Sequence, residues 1–242
     1  MKKVFFTLIL SCLLANNAKA VSELARYEKE CLSIINAPKV EMTSTYGKLH
    51  HNFDKDEDFL RKETAKRFQE MGETFSENFA PVGLTKVRDA FDFSLVVGQI
   101  DVSNGYTCLY PETIKVHLGY YTPTIYLLNN LKKGSCLYNL ALRHENTHMQ
   151  LYIEALDYFL PQLKMTVDEL FDNVGVKIVK RGKNSERDAR ELNEAYLAVV
   201  QAKVNAWRKD VEKEQMKLDT PEHYMIENRL CQEISGTENN AF

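Results

Sequence analysis

The chain has 242 residues, with 31 Lys+Arg against 34 Asp+Glu and 44% hydrophobic residues. That is enough apolar material for one well-cored domain, and it excludes both a Pro/Gly-rich linker protein and a disordered chain. A net charge of −3 gives no basic footprint for nucleic acid.

The first twenty residues read as a secretory signal. Lys2 and Lys3 precede an apolar run from Val4 to Ala15, and Ala18-Lys19-Ala20 supplies an A-x-A cleavage site. The apolar run is too short to span a bilayer as an anchor, and no later stretch is apolar enough to form a transmembrane segment. The expected product is therefore soluble and periplasmic or extracellular after cleavage near Ala20, with residues 21–242 as a single domain. Removing the leader takes away three of the 31 Lys+Arg and none of the 34 Asp+Glu, which leaves a net charge of −6. It also removes Cys12. Cys31, Cys108, Cys136 and Cys231 remain, an even number in an oxidising compartment, so two disulfides are expected. Three pairings are open. The preferred one joins Cys108 to Cys136, tying a strand to the motif helix described below, and Cys31 to Cys231, tying the two chain ends.

In chain order, Ser22 to Ile35 reads as a helix, and Val40 to Phe53 as one or two short strands around Gly47. Asp54-Lys-Asp-Glu57 is a capped helix start, and Phe59, Leu60, Thr64, Phe68 and Met71 repeat at helical spacing until Gly72. From Phe91 the period changes to two, through Phe93, Leu95 and Val97, and Asn104-Gly105 has the residues of a tight hairpin turn. The return strand Tyr106 to Tyr110 is expected to break at Pro111; Ile114, Val116 and Leu118 then alternate again, and Thr124 to Leu128 forms a last short strand. The expected sheet is small and antiparallel.

Leu131 to Gly134 turns the chain into a helix predicted from Ser135 to Leu160 and ended by Pro161. Thr166 with Glu169 has the capping-box pattern of a short helix through Phe171, and Val174 to Val179 fits a strand or a loop. Ser185 with Asp188 caps a long helix to Leu218 whose apolar stripe includes Ala189, Leu192, Tyr196, Val200, Val204, Trp207 and Val211. Thr220-Pro221 then begins a C-terminal helix holding His223 and Cys231. The fold class is α+β, a small sheet packed on long helices.

The helix from Ser135 carries His144-Glu145-Asn146-Thr147-His148, an H-E-x-x-H. Positions i and i+4 lie one above the other on a helix, so both imidazoles can meet one Zn2+ while Glu145 flanks them as general base for a metal-activated water. A short strand followed by such a helix resembles the zincin metallopeptidases. More closely, Gly134-Ser135-Cys136-Leu137-Tyr138 ahead of the motif is similar to the Gly-Ser-Cys-x-Tyr segment of an uncharacterised group of secreted bacterial proteins described as zinc-dependent proteases. The resemblance implies a zincin-like catalytic domain in which the strand carrying Thr124, Ile125 and Tyr126 is an edge strand that binds the backbone of a peptide or protein substrate, including cell-envelope material. The metzincin branch is excluded, because Leu151 and Glu154 stand where that group has Gly and a third His.

For the third ligand, Asn193-Glu194-Ala195 is similar to the Asn-Glu-Ala segment of the gluzincins. Helix phase opposes it: with Leu192 as zero, the apolar stripe centres at roughly 70° and Glu194 lies at about 200°. Asp188 and Glu191 are no better placed, which leaves His223 as the candidate. His50, His51 and His117 read as surface residues, and Arg143, Tyr196 and Tyr224 are candidates to stabilise an oxyanion. Three functions compete: a secreted zinc-dependent hydrolase acting as a metallopeptidase, a zincin-derived non-catalytic binding or structural protein of the cell envelope, and a chance H-E-x-x-H in a disulfide-stabilised domain.

Overall fold

A computed structural model describes residues 23–75, 80–182, 185–220, 226, 229 and 231. The chain divides into two compact units. One comprises the residues up to Met42 with Phe93–Val116 and Lys164–Gln201; the other comprises Thr43–Asp92, His117–Leu163 and the residues from Ala202 onward. The architecture is α+β, with two small sheets and long helices.

Helix α1 (residues 23–32), in the first unit, lies against the hairpin formed by β4 (Asp89–Val102) and β5 (Tyr106–Tyr120), most of whose residues belong to that unit. The hairpin turns through Asn104 and Gly105, both at positive φ (57° and 74°), the backbone that an Asn-Gly pair tolerates. β5 is the centre of a sheet ordered β1 (Lys39–Thr45), β5, β4, and β7 (Lys177–Lys180) pairs antiparallel with its start. Pro111 does not break β5. The β7 ladder covers Tyr106 to Leu109 and stops short of the proline, so its missing N–H is not needed there.

Tyr27, Cys31, Val102 and Cys108 form one buried cluster, and within it Cys31 and Cys108 are bonded. The second disulfide joins Cys136 to Cys231. Two disulfides are thus present, but the preferred Cys108–Cys136 and Cys31–Cys231 pairing is overturned. Cys108 points into the core beside α1, where Cys31 is its neighbour, a relation no spacing encodes. Closing loops of 77 and 95 residues stabilises by roughly 4–5 kcal/mol each in the chain-entropy picture.

In the second unit, α2 (Glu57–Glu70) starts at Asp56, whose carboxylate accepts the N–H of Phe59 at 2.9 Å, and ends before Gly72 at φ 74°. The second sheet is ordered β2 (His50–Lys55), β6 (Thr124–Leu128), β3 (Gly83–Lys86). β2 runs parallel to β6 and β3 antiparallel, so this sheet is mixed rather than antiparallel. The strand Thr124–Leu128 forms as expected, yet it is not an edge: both sides are hydrogen-bonded, and Ile125 is fully buried. β3 has no counterpart in the sequence reading, since four residues are too few to show a period of two.

Ile125 and Leu127 pack on Ala141 of helix α3 (Cys136–Asp168), and this contact seats the motif helix on the sheet. α3 continues through Pro161 instead of ending there. Leu156, Phe159, Leu163 and Val167 keep helical phase across the proline, and all are buried. Continuous burial of that stripe outweighs one lost backbone hydrogen bond. The Thr166/Glu169 capping box accordingly does not form; Thr166 lies inside α3, and the short helix α4 is Leu170–Val174. The last long helix, α5, spans Ser185–Leu218. Among the described residues, no helix is long and apolar enough to cross a membrane.

Candidate metal centre

His144, His148 and Tyr152 fall at successive i+4 positions on α3, and they meet a polar face at the C-terminal end of α5 made by Glu212, Gln215 and Asp219. The contacts run in antiparallel order. His144 Nε2 lies 3.2 Å from Asp219 Oδ1, His148 Nε2 lies 3.0 Å from the same oxygen, and the two Nε2 atoms are 3.1 Å apart. His148 Nδ1 is 2.5 Å from Gln215 Oε1, and the Tyr152 hydroxyl donates to Glu212 Oε1 at 2.7 Å. His144 and His148 are 7% and 2% exposed, and the Asp219 side chain 9%.

The donor set suits a divalent cation. Gln215 Nε2 donates to the His148 carbonyl at 3.0 Å, which leaves Gln215 Oε1 to accept from His148 Nδ1–H. In the neutral ring Nε2 then carries a lone pair, the tautomer that second-sphere partners impose on metal-ligating histidines. The three converging atoms are spaced within a few tenths of an ångström of the ~3.3–3.5 Å edge that tetrahedral bonds of roughly 2.0–2.2 Å produce. His144, His148 and Asp219 could together hold a metal ion.

Asp219 follows the last residue of α5, where the negative end of the helix dipole disfavours a carboxylate. Burial works against its ionised form too. Hydrogen bonds from His144 and His148, with the charges of His148 and Arg67, outweigh both and hold its pKa well below the usual range. For His148, burial would lower the pKa, but the bond and charge of Asp219 prevail and raise it.

Glu145 is 3% exposed, and burial raises its pKa, partly offset by the two histidines. Thr85 of β3 donates at 2.8 Å to Glu145 Oε2 and lies 2.9 Å from its main-chain oxygen. Gly83 sits directly against the same carboxylate: a Cβ there would lie 2.5 Å from Oε1. β3, at the end of the three-stranded sheet, therefore abuts Glu145, while β6 with Thr124, Ile125 and Tyr126 is enclosed between β2 and β3. A cavity of about 140 Å³ is bounded by Arg67, Thr85, Tyr152 and Glu212, below the usual range for whole small-molecule ligands and of a size for one side chain.

Of the residues proposed from sequence, His144, Glu145 and His148 are brought together. His223 and Tyr224 lie outside the described residues. His50 and His51 are exposed on β2, and His117 Nδ1 is 2.8 Å from the Thr43 hydroxyl. Arg143 and Glu194 are exposed, and the Tyr196 hydroxyl donates to the Gly175 carbonyl. Asp219, Gln215, Thr85 and Arg67 were not foreseen. One signal was available for Gln215: the apolar stripe of α5 steps from Val204 to Trp207, Val211 and then position 215, where a polar residue on a core-facing row needs a buried partner.

These shifts set a pH dependence for the metal-free chain. His148 has a folded pKa above its unfolded value near 6.5, so its contribution to stability is full below about pH 6.5 and is lost as pH rises through the raised value. Glu145, also raised, contributes in the same direction from a lower starting point. The depressed Asp219 contributes fully above about pH 4 and loses only at lower pH. Metal binding needs deprotonated ligands and so strengthens with pH. Thermal melts in chelator are therefore expected to fall in Tm from pH 5 to 8, while the gain in Tm from added Zn2+ grows over that range. A Zn2+-induced gain that is flat or shrinks with pH would contradict this site.

A scan against protein-family models found no match, and searches of the curated proteins and of the solved structures found none either.

Proposed function

We propose that this protein is an exported, zinc-dependent hydrolase with a zincin-like site, acting as a metallopeptidase. The observation that carries the reading is the convergence of His144 Nε2, His148 Nε2 and Asp219 Oδ1 at 3.0–3.2 Å, beside a carboxylate held by Thr85. Two disulfides suit an oxidising compartment, in keeping with the signal-like leader.

A bound Zn2+ would supply Lewis-acid polarisation and a water of lowered pKa. The chain's own part is to hold that ion through the two imidazoles and one carboxylate, and to move a proton at Glu145. Thr85 engages Oε2 and leaves Oε1 without a hydrogen bond among the described residues, so Oε1 is the atom to take the proton from the attacking water and return it to the leaving amine. The cavity beside Thr85 and Tyr152 gives a substrate side chain a place next to this chemistry.

A second reading, a metal-stabilised, non-catalytic binding or structural protein of the cell envelope, draws on the burial of Glu145, which also suits a structural acid. The test is metal analysis of protein purified from the periplasm without chelator, followed by a peptide-library screen. About one zinc per chain and chelator-sensitive cleavage are expected. Protein without metal ends both readings; stoichiometric metal without cleavage of any peptide favours the second.

A further inference from the structure

We propose that Arg67 is the positioning residue that presents Asp219 to the metal through a single oxygen, an inference that rests on the metal-centre reading above. Arg67 lies in the last turn of α2, and its side chain is 14% exposed. Its guanidinium bridges two carboxylates of α5 and its end: Nε donates to Glu212 Oε2 at 2.9 Å and Nη1 to Asp219 Oδ2 at 3.3 Å.

Asp219 stands one residue beyond α5, its N–H bonded to the Met216 carbonyl at 3.2 Å, so the helix alone does not dictate where its side chain points. With Oδ2 engaged by Arg67, Oδ1 is the oxygen that faces both imidazoles. The second bridged acid closes the arrangement. Glu212 Oε1 accepts the hydroxyl of Tyr152, one turn beyond His148, so Arg67 ties the ligand-bearing stretch of α3 and the C-terminal end of α5 into one register. Arg67 Nη2 is buried without a hydrogen-bond partner among the described residues, as expected of a guanidinium placed for these two acids rather than for its own full satisfaction. A lysine would keep the charge but could not span both carboxylates with a rigid fork.

The test uses the full mature chain, titrated with Co2+ and with Zn2+ after chelation, with the visible Co2+ spectrum and Tm as further readouts. Arg67→Met should weaken metal binding ~10–100-fold, the usual effect of removing a partner that orients a ligand, and should shift the Co2+ absorption bands. Arg67→Lys should weaken binding several-fold. Leu60→Ala, a fully buried position on the same helix, should lower Tm with metal affinity and spectrum unchanged. Wild-type affinity and spectrum in Arg67→Met overturn the proposal, as does an equal loss of affinity in Leu60→Ala, which would make Arg67 merely structural. Should Arg67→Met not fold, wild-type affinity and spectrum in Arg67→Lys overturn it. Failure of the wild-type chain to bind either ion sinks the metal centre itself, an outcome separate from these.

Discussion

Glu145→Gln is expected to hydrolyse peptide ~10²–10⁴-fold more slowly than the wild-type chain while holding the same amount of zinc, because it removes the proton acceptor and leaves His144, His148 and Asp219 in place. The amide is close to isosteric and can still accept from the Thr85 hydroxyl, so Tm should change little. Gly83→Ala offers a separate check on the same carboxylate. Its Cβ would fall 2.5, 2.8 and 2.9 Å from Oε1, Cγ and Cδ of Glu145, and Gly83 does not occupy the left-handed region, so the strain falls on the carboxylate rather than on the backbone of β3. That variant should keep its metal and lose rate. Steady-state cleavage of a peptide found by library screening, with metal content measured on the same samples, decides the matter. Undiminished turnover in Glu145→Gln would disprove the general-base role, and loss of zinc with unfolding would make Glu145 a structural acid.

Asp219→Ala is expected to reduce bound zinc from about one per chain to below about a tenth, because two imidazoles alone do not make a three-ligand site. Asp219→Asn should behave similarly: the amide keeps the shape but loses the charge that both His148 and Arg67 face. His223→Ala, by contrast, should keep zinc within about twofold of wild type if Asp219 completes the ligand set. Metal analysis of the three variants after dialysis separates the assignments. Zinc retained in Asp219→Ala and lost in His223→Ala would return the third position to His223.

What the sequence by itself determined is what neighbours along the chain determine. The i, i+4 spacing places His144 and His148 on one face of any helix that contains them, so two of the three candidate ligands were legible before any fold was known. Periodicity likewise located the Thr124–Leu128 strand, and helix-start chemistry the beginnings of α2 and α5, where Asp56 and Ser185 precede rows of regularly spaced apolar residues.

Tertiary structure decided everything that depends on which distant segments meet. Asp219 is 75 residues from His144, and only the antiparallel meeting of α3 and α5 makes it a neighbour. Thr85 and Gly83 reach Glu145 because β3 pairs with β6, and the parallel β2–β6 pairing is what turns the expected edge strand into a central one. Cys108 finds Cys31 because both face one buried cluster. α3 passes Pro161 because Phe159 and Leu163 stay buried on either side of it. In each case local propensity allowed several outcomes of similar free energy, and the choice fell to long-range burial and hydrogen bonding, which are properties of pairs of segments and leave no period in either one.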